Sequence, residues 1–192
     1  AAQLLHGHRL QALDRQQAVD EQAIALRRRH AAGRRVRTMY EAEIFQIGRE
    51  PIRGCIDCGG CKNNRCAFDD IANRALEKFE KCDGLVIGSP VYYASANGIL
   101  CALLDRVFFA KKSFAGKPAC AVVSCRRGGS TAAFDRLNKY FSISEMPIVT
   151  SCYWNGVHGI NPDDVKKDEE GMQVMRTLGK MGKSVVLVDA DL

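Results

Sequence analysis

The sequence has little that would place it in a membrane or outside the cell. None of its apolar runs approaches the about 20 residues that a membrane-spanning helix needs. No secretory signal peptide is visible, so we expect a reducing cytoplasm in which the nine cysteines do not form disulfides. The length of 192 residues, the 46% hydrophobic content and the 26% charged content are typical of a single soluble globular domain.

A second set of absences separates residues 1–38 from the rest of the chain. This segment contains no Lys, aromatic residue, Ser or Pro, but it carries eight Arg against three acidic residues. From residue 39 onward, twenty basic residues accompany nineteen acidic ones, so the charge of the body gives no reason to expect nucleic acid. The stretch LQALDRQQAVDEQAIALRRRH has a weak apolar stripe at helical spacing. The segment is either a solvated, poorly packed one or an Arg-rich arm that contacts an acidic partner.

After Met39 the sequence alternates between strand and helix patterns. Apolar runs bounded by turn residues predict strands at Glu41–Ile47, Gly84–Gly88, Ala119–Ser124 and Pro147–Ser151. Apolar residues at helical spacing predict helices from Phe68 to Phe79, from Ile99 to Phe108, from Phe134 to Phe141 with Ser130 as its cap, and from Asn161 onward. Because the strands are apolar and do not alternate, they predict an α/β fold with a parallel sheet covered on both faces.

The run CIDCGGCKNNRC holds four cysteines at C-x2-C-x2-C-x4-C spacing, namely Cys55, Cys58, Cys61 and Cys66. Clustered thiolates select iron–sulfur clusters, zinc or copper(I), so the run points to electron transfer. Structural zinc sites usually place two ligand pairs across a longer finger, whereas this spacing is closer to the C-x2-C-x2-C arm of a ferredoxin. A [4Fe–4S] cluster, a zinc ion and unligated thiols all remain open. The other cysteines are Cys82, Cys101, Cys120, Cys125 and Cys152. Most of them are expected in the core as small apolar residues.

Two loops follow predicted strands at the edge where open parallel sheets bind ligands. The first is SPVYYASANG, residues 89–98, in which two adjacent tyrosines suit a flat aromatic ring. The second is CRRGGS, residues 125–130, in which the glycines allow close approach and two arginines could compensate an anion. The plainer interpretation of each loop is a connector at a helix start. The candidate cofactor-binding residues are Ser89, Pro90, Val91, Tyr92, Tyr93, Asn97, Gly98, Cys125, Arg126, Gly128 and Gly129.

Four runs resemble the flavodoxin-like NADPH-dependent FMN reductases. They are SPVYYASANGILCALLDR, CIDCGGCKNNRCAFDD, CRRGGSTAAF and YWNGVHG, and the similarity extends from about Tyr40 to about Lys183. The cysteine spacing is similar to that of the iron–sulfur flavoprotein branch. The resemblance implies a flavodoxin-like, doubly wound parallel sheet with FMN as cofactor. It also implies a homodimer or homotetramer in which the flavin lies near a subunit interface.

The same resemblance implies roles for the candidate residues. The segment matching residues 89–98 surrounds the isoalloxazine ring in that family, and the segment matching residues 125–130 lines the same pocket. The four matched cysteines are cluster ligands in the iron–sulfur branch. We name no acid–base catalytic residue, because the reactive chemistry belongs to the cofactors. His158 and Trp154 in the last run are not assigned a catalytic role, because a lone His in a loop is more often structural.

The chain departs from the family pattern at its N-terminal end. The family begins with a strand and a Gly-Ser-Pro phosphate loop, and residues 1–38 contain no such loop. Their composition is similar to a frame-shifted reading that rejoins the frame near Tyr40. We therefore divide the chain into an atypical segment, 1–38, and a flavodoxin-like FMN-binding domain, 39–192. The first strand and the phosphate loop are missing or replaced, which leaves open an inactive relative.

The sequence thus predicts an NAD(P)H-dependent FMN reductase-like oxidoreductase. Electrons would move between reduced nicotinamide, FMN and a possible [4Fe–4S] cluster, and a small molecule or a protein would be the donor or acceptor. Because no G-x-G-x-x-G fingerprint is present, NAD(P)H would bind transiently on the flavin face. The alternative is a non-catalytic module that binds zinc or a cluster and recruits a partner.

Overall fold

The computed structural model describes residues 25–28, 41–47, 50–111 and 113–184. The first two of these ranges contain strands β1 (Ala25–Arg28) and β2 (Glu41–Ile44), which pair antiparallel. The weak stripe at helical spacing in residues 10–30 does not produce a helix at Ala25–Arg28, because this part pairs with β2. The rest of that stretch lies outside the described residues.

The main sheet has four strands in the order β4-β3-β5-β6. Its centre is the parallel pair β3 (Leu85–Tyr92) and β5 (Ala119–Cys125), which is buried along most of its length. Strand β6 (Gly156–His158) is parallel to β5, and β4 (Ser95–Ala96) runs antiparallel along the end of β3. The predicted α/β fold with a mostly parallel sheet is confirmed.

Five helices accompany this sheet in the described residues, and they are α1 (Ile71–Lys81), α2 (Gly98–Ala110), α3 (Ser130–Ile143), α4 (Pro162–Lys167) and α5 (Glu169–Ser184). Helices α1 to α3 and strands β3 and β5 supply the fully buried side chains, among them Phe79, Ile87, Leu103, Leu104, Val123, Leu137 and Phe141. Within the described ranges, no helix combines the length and apolarity needed to cross a membrane.

Side-chain caps fix where most of these helices begin. The carboxylate of Asp70 accepts from Ala72 N at the start of α1, and Asn161 accepts from Asp164 N at the start of α4, one residue before Pro162. The predicted Ser130 cap is wrong. Helix α3 begins at Ser130, and its N-cap is Gly129 in the left-handed conformation without a side-chain bond.

The strand predictions differ from the structure in two places. The predicted strand Glu41–Ile47 ends at Ile44. The predicted strand Pro147–Ser151 is reduced to a single parallel bridge between Ala119 and Ile148. The chain then leaves the sheet at residues 150–154 and returns as β6, where Val123 N donates to Asn155 O at 2.9 Å. This excursion is the part of the chain that carries Tyr153 and Trp154.

Candidate functional site

The four cysteines of the compact motif line one pocket. Its other lining residues are Gly54, Ile56, Gly59, Phe68, Arg106 and Phe109. Cys55 and Cys58 are exposed, whereas Cys61 and Cys66 are half-buried at the pocket's inner side. The structure thus brings the four predicted metal ligands to one pocket, and their role as ligands stays a prediction.

The four residues between Cys61 and Cys66 form a β-hairpin turn. Lys62 N donates to Arg65 O at 3.1 Å, and Arg65 N donates to Lys62 O at 2.9 Å. The two central residues, Asn63 and Asn64, have φ of 51° and 56°. These values define the type I′ turn, for which asparagine is well suited because it tolerates the left-handed region. Since the flanking residues of such a turn lie opposite each other, the hairpin brings Cys61 and Cys66 together.

The thiols of this pocket influence one another electrostatically. Burial raises the pKa of Cys61, and the negative charges of Cys66, Cys58 and Cys55 raise it further. A thiolate at Cys61 is therefore disfavoured unless a bound cation neutralises the charge.

The geometry of this donor set bears on which metal group it could hold. Among the described residues, no three His, Cys, Asp or Glu side chains are placed around a single metal ion. A zinc ion needs its sulfur ligands at about 2.3 Å, and so within about 4 Å of one another. Four thiol donors line one pocket, and soft sulfur donors of this kind suit an iron–sulfur cluster or zinc. The compact C-x2-C-x2-C spacing is the feature that favours a cluster.

Arg106 lines this pocket and was not predicted from the sequence. It comes from α2 and is 2% exposed. Its Nη1 and Nη2 donate to the two carboxylate oxygens of Asp70 at 2.7 and 2.8 Å, and its Nε and Nη2 donate to Cys66 Sγ at 3.4 and 3.3 Å. Burial disfavours both charges, but the pairing prevails, so the pKa of Asp70 is lowered and that of Arg106 is raised. An adjacent acidic and basic pair, Asp105 and Arg106, in an otherwise apolar helix was the available signal.

The backbone of Cys66 is held by Asn73 on α1. Asn73 is buried, and its Oδ1 accepts from Cys66 N at 2.9 Å while its Nδ2 donates to Cys66 O at 3.1 Å. The fourth cysteine is therefore fixed at both its backbone and its sulfur, by two different helices.

The first predicted cofactor loop is a hairpin in the structure. Ser89, Pro90, Val91 and Tyr92 continue β3, and Tyr93 and Ala94 form the turn into β4 with φ of 50° and 59°. The prediction of a strand ending at Gly88 is wrong, because β4 pairs with Val91 and Tyr92 and extends the ladder. Ser89 Oγ accepts from Asn97 N at 2.8 Å, and this bond closes the hairpin.

The end of this hairpin leads directly into helix α2. Asn97 is its cap, with Oδ1 accepting from Ile99 N at 2.8 Å and from Leu100 N at 3.2 Å. Gly98 is the first helical residue. Tyr93 is fully exposed, and Tyr92 is half-buried. The two predicted tyrosines therefore differ in environment, and Tyr93 has its ring available at the surface.

The second predicted loop contacts the first. Cys125 is the buried last residue of β5, whereas Arg126, Arg127 and Gly128 are exposed. Gly129 has φ of +89°, and a Cβ added there would lie 2.7 Å from the Cα of Ala94. The structure thus brings the two predicted segments together at the carboxyl end of the sheet.

Beside the second loop lies a further pocket that the sequence did not predict. Its lining includes Trp154 and His158, which the sequence analysis set aside, together with Ser130, Phe134, Tyr153 and Asp168. Asp168 accepts from His158 N at 2.7 Å and from Gly171 N at 3.0 Å. Burial opposes ionisation of Asp168, but these bonds outweigh it and lower its pKa. The excursion at residues 150–154 therefore forms one wall of a recess.

Comparison with known proteins gives a family match over most of the chain. The NADPH-dependent FMN reductase family matches residues 21–160. An iron–sulfur flavoprotein of Methanocaldococcus jannaschii is 31% identical over 157 residues, which is 76% of this chain and 81% of the relative. One from Archaeoglobus fulgidus is 32% identical over 158 residues, covering 73% and 78% of the two chains. One from Methanosarcina thermophila is 29% identical over 147 residues, covering 73% and 76%.

Proposed function

Since the chain belongs to the NADPH-dependent FMN reductase family and is a flavin-dependent oxidoreductase, we propose that it moves electrons between reduced nicotinamide, FMN and a [4Fe–4S] cluster. The observation that carries this proposal is the convergence of the four motif cysteines on one pocket within such a chain. The three relatives described above are all iron–sulfur flavoproteins, which supports the same conclusion.

The cysteine pocket would hold the cluster through four thiolates. Cys61 and Cys66 are presented by the hairpin turn, and Cys55 and Cys58 lie on the exposed side. When bound, the two cofactors supply hydride acceptance at the flavin and single-electron transfer at the cluster. The chain's own contribution is to position the sulfurs and to compensate their charge.

The FMN would lie where the two predicted loops meet. The exposed ring of Tyr93 and the neighbouring Tyr92 would border the isoalloxazine, and Arg126 would face an anionic group. The backbone of this site is preorganised, because Ser89 and Asn97 fix the hairpin and Gly129 lets the second loop approach. Reduced nicotinamide would bind transiently on the same face, since the sequence has no dinucleotide fingerprint.

The remaining expectations from the sequence are part of the proposal. They are a cytoplasmic homodimer or homotetramer, a small molecule or protein as electron donor or acceptor, and a boundary after residue 38 between the N-terminal segment and the FMN-binding domain. The family match begins at residue 21, so the last part of the segment 1–38 falls within it. The division at residue 38 therefore remains a prediction.

Metal analysis of two cysteine variants tests the proposal. Anaerobically purified protein should contain about four iron and four sulfide per chain. Cys58→Ala should remove the cluster, because it deletes one of the pocket thiols. Cys152→Ala is the matched control, since Cys152 is also exposed but lies outside the motif. Stoichiometric zinc without sulfide would contradict the proposal and favour the interaction module.

A further inference from the structure

Arg106 carries the only charge among the buried side chains that the structure describes. It lines the cysteine pocket, and all three guanidinium nitrogens donate hydrogen bonds. Besides Asp70 and Cys66, it donates from Nη2 to Phe68 O at 3.2 Å and from Nη1 to Arg53 O at 3.4 Å. A planar guanidinium with this many hydrogen-bond acceptors can reach all of them in only one orientation. The N–H groups aimed at the sulfur are therefore fixed.

The acceptor is fixed as well. Asn73 holds the backbone of Cys66 through both of its amide atoms, independently of the guanidinium. Asp70 holds the guanidinium and also caps α1 through Ala72 N. The contact between Arg106 and Cys66 Sγ is consequently supported from two sides. Such outer partners orient metal ligands and tune the metal group that they hold.

We propose that Arg106 raises the reduction potential of the cluster by donating hydrogen bonds to Cys66 Sγ. This inference rests on the proposed function, because it requires a cluster in the cysteine pocket. The reduced cluster carries one more negative charge than the oxidised cluster, and an electron donor supplies that charge without any bond being made or broken. A guanidinium with two N–H groups on a ligand sulfur stabilises the more negative form, which makes reduction easier.

The competing explanation gives Arg106 a purely structural role. In that case it ties the cysteine loop to α1 and α2, and removing it lowers stability and cluster content. The potential of whatever cluster remains would then be unchanged. The reduction potential therefore separates the two explanations, whereas stability and activity do not.

An anaerobic redox titration of the cluster, followed by electron paramagnetic resonance, tests the inference. Wild type, Arg106→Lys, Arg106→Gln and Arg65→Gln are compared, each with its iron and sulfide content measured. At a fixed potential, Arg106→Gln should change the ratio of reduced to oxidised cluster at least tenfold toward oxidised. That ratio corresponds to about 59 mV for a one-electron couple.

Two variants serve as internal standards. The midpoint potential should shift less in Arg106→Lys than in Arg106→Gln. The ammonium keeps the charge but cannot donate to Asp70 and Cys66 at the same time as the planar guanidinium does. Arg65→Gln removes a charge one residue from Cys66, and its midpoint should match wild type because Arg65 is paired with Glu77 and Asp69 at the exposed surface.

The outcomes are distinct. A full cluster with an unshifted midpoint in Arg106→Gln overturns the inference and leaves the proposed function standing. A wild-type chain without iron and sulfide overturns both. If the variants do not fold, wild-type protein with ¹⁵N-labelled arginine is measured by electron–nuclear double resonance. A nitrogen coupling to the reduced cluster is expected, and its absence overturns the inference.

Discussion

At the residue scale, two glycines in the proposed flavin site have very different surroundings. A Cβ at Gly129 would lie 2.7 Å from the Cα of Ala94 and 3.1 Å from the Cγ1 of Val91, and the residue has a positive φ. A Cβ at Gly98 would meet no atom within 4 Å. The position at which an added side chain would disturb the site is therefore Gly129.

We predict that Gly129→Ala lowers both stability and FMN retention. The left-handed conformation costs a non-glycine residue about 1–2 kcal/mol, and the contact with Ala94 pushes the two loops apart. Urea unfolding and the flavin content of purified protein measure the two effects. Gly98→Ala is the control and should resemble wild type. Equal stability and flavin content in the two variants would show that the loops do not need this close approach.

Single residues also show how far the sequence could be used to predict the site. The four cysteines were predictable, because their ligand chemistry depends on spacing within one short run. Arg106 was not, because its contacts with Cys66 and Asp70 join residues 40 and 36 positions away. The partner of a buried charge is set by how α1 and α2 pack, which one sequence does not reveal.

At the element scale, the hairpin at Asn63 and Asn64 determines where the last two cysteines lie. Both residues have positive φ, so the element depends on residue types that tolerate this region. The hairpin is short and has one pair of reciprocal backbone bonds, between Lys62 and Arg65. The hairpin therefore depends more on which residue types occupy its turn than on backbone pairing between its strands.

We predict that Asn64→Val reduces the iron content, whereas Asn64→Gly does not. A β-branched residue is strained at φ of 56°, by about 1–2 kcal/mol, so the turn would open and displace Cys66. Glycine adopts the same conformation freely. Iron and sulfide analysis after anaerobic purification compares the two variants. Full iron content in Asn64→Val would mean that the turn does not position Cys66.

The strands show why the sequence could predict the sheet but not its limits. Apolar runs identified β3 and β5, since both are buried on each face. The Gly-Ser-Pro run at residues 88–90 resembles a turn, yet β3 continues through it because Pro90 still lies opposite Ser124 on β5. Beside β5, two separate segments occupy the place of the last strand: Ile148, which forms a single bridge, and β6. That division depends on tertiary pairing with β5.

At the scale of the whole molecule, β3 has unequal neighbours on its two sides. On one side it pairs with β5 from Leu85 to Pro90. On the other, within the described residues, only Val91 and Tyr92 are paired, and the partner is β4. Strand β1 lies near β3 without forming a ladder with it there. This is the side on which a first parallel strand and its phosphate loop are expected in a flavodoxin-like sheet.

We predict that the chain as written binds FMN weakly. Residues 1–38 contain no Gly-Ser-Pro loop, so the helix N-terminus that would hold the phosphate is not supplied by that motif. Replacing residues 1–38 with a strand, a Gly-Ser-Pro loop and a helix should increase FMN affinity, measured by fluorescence quenching of added FMN. If the chain as written retains one FMN per chain through purification, residues 1–38 provide a phosphate site of another kind.

We expect one chain to carry both a two-electron and a one-electron cofactor. An anaerobic reductive titration, with bound FMN measured on the same sample, counts the electrons that the protein accepts. We expect about two electrons for each bound FMN and about one further electron per chain for the cluster. An uptake that equals the flavin alone would contradict the claim, as would a zinc-containing protein that accepts no electrons.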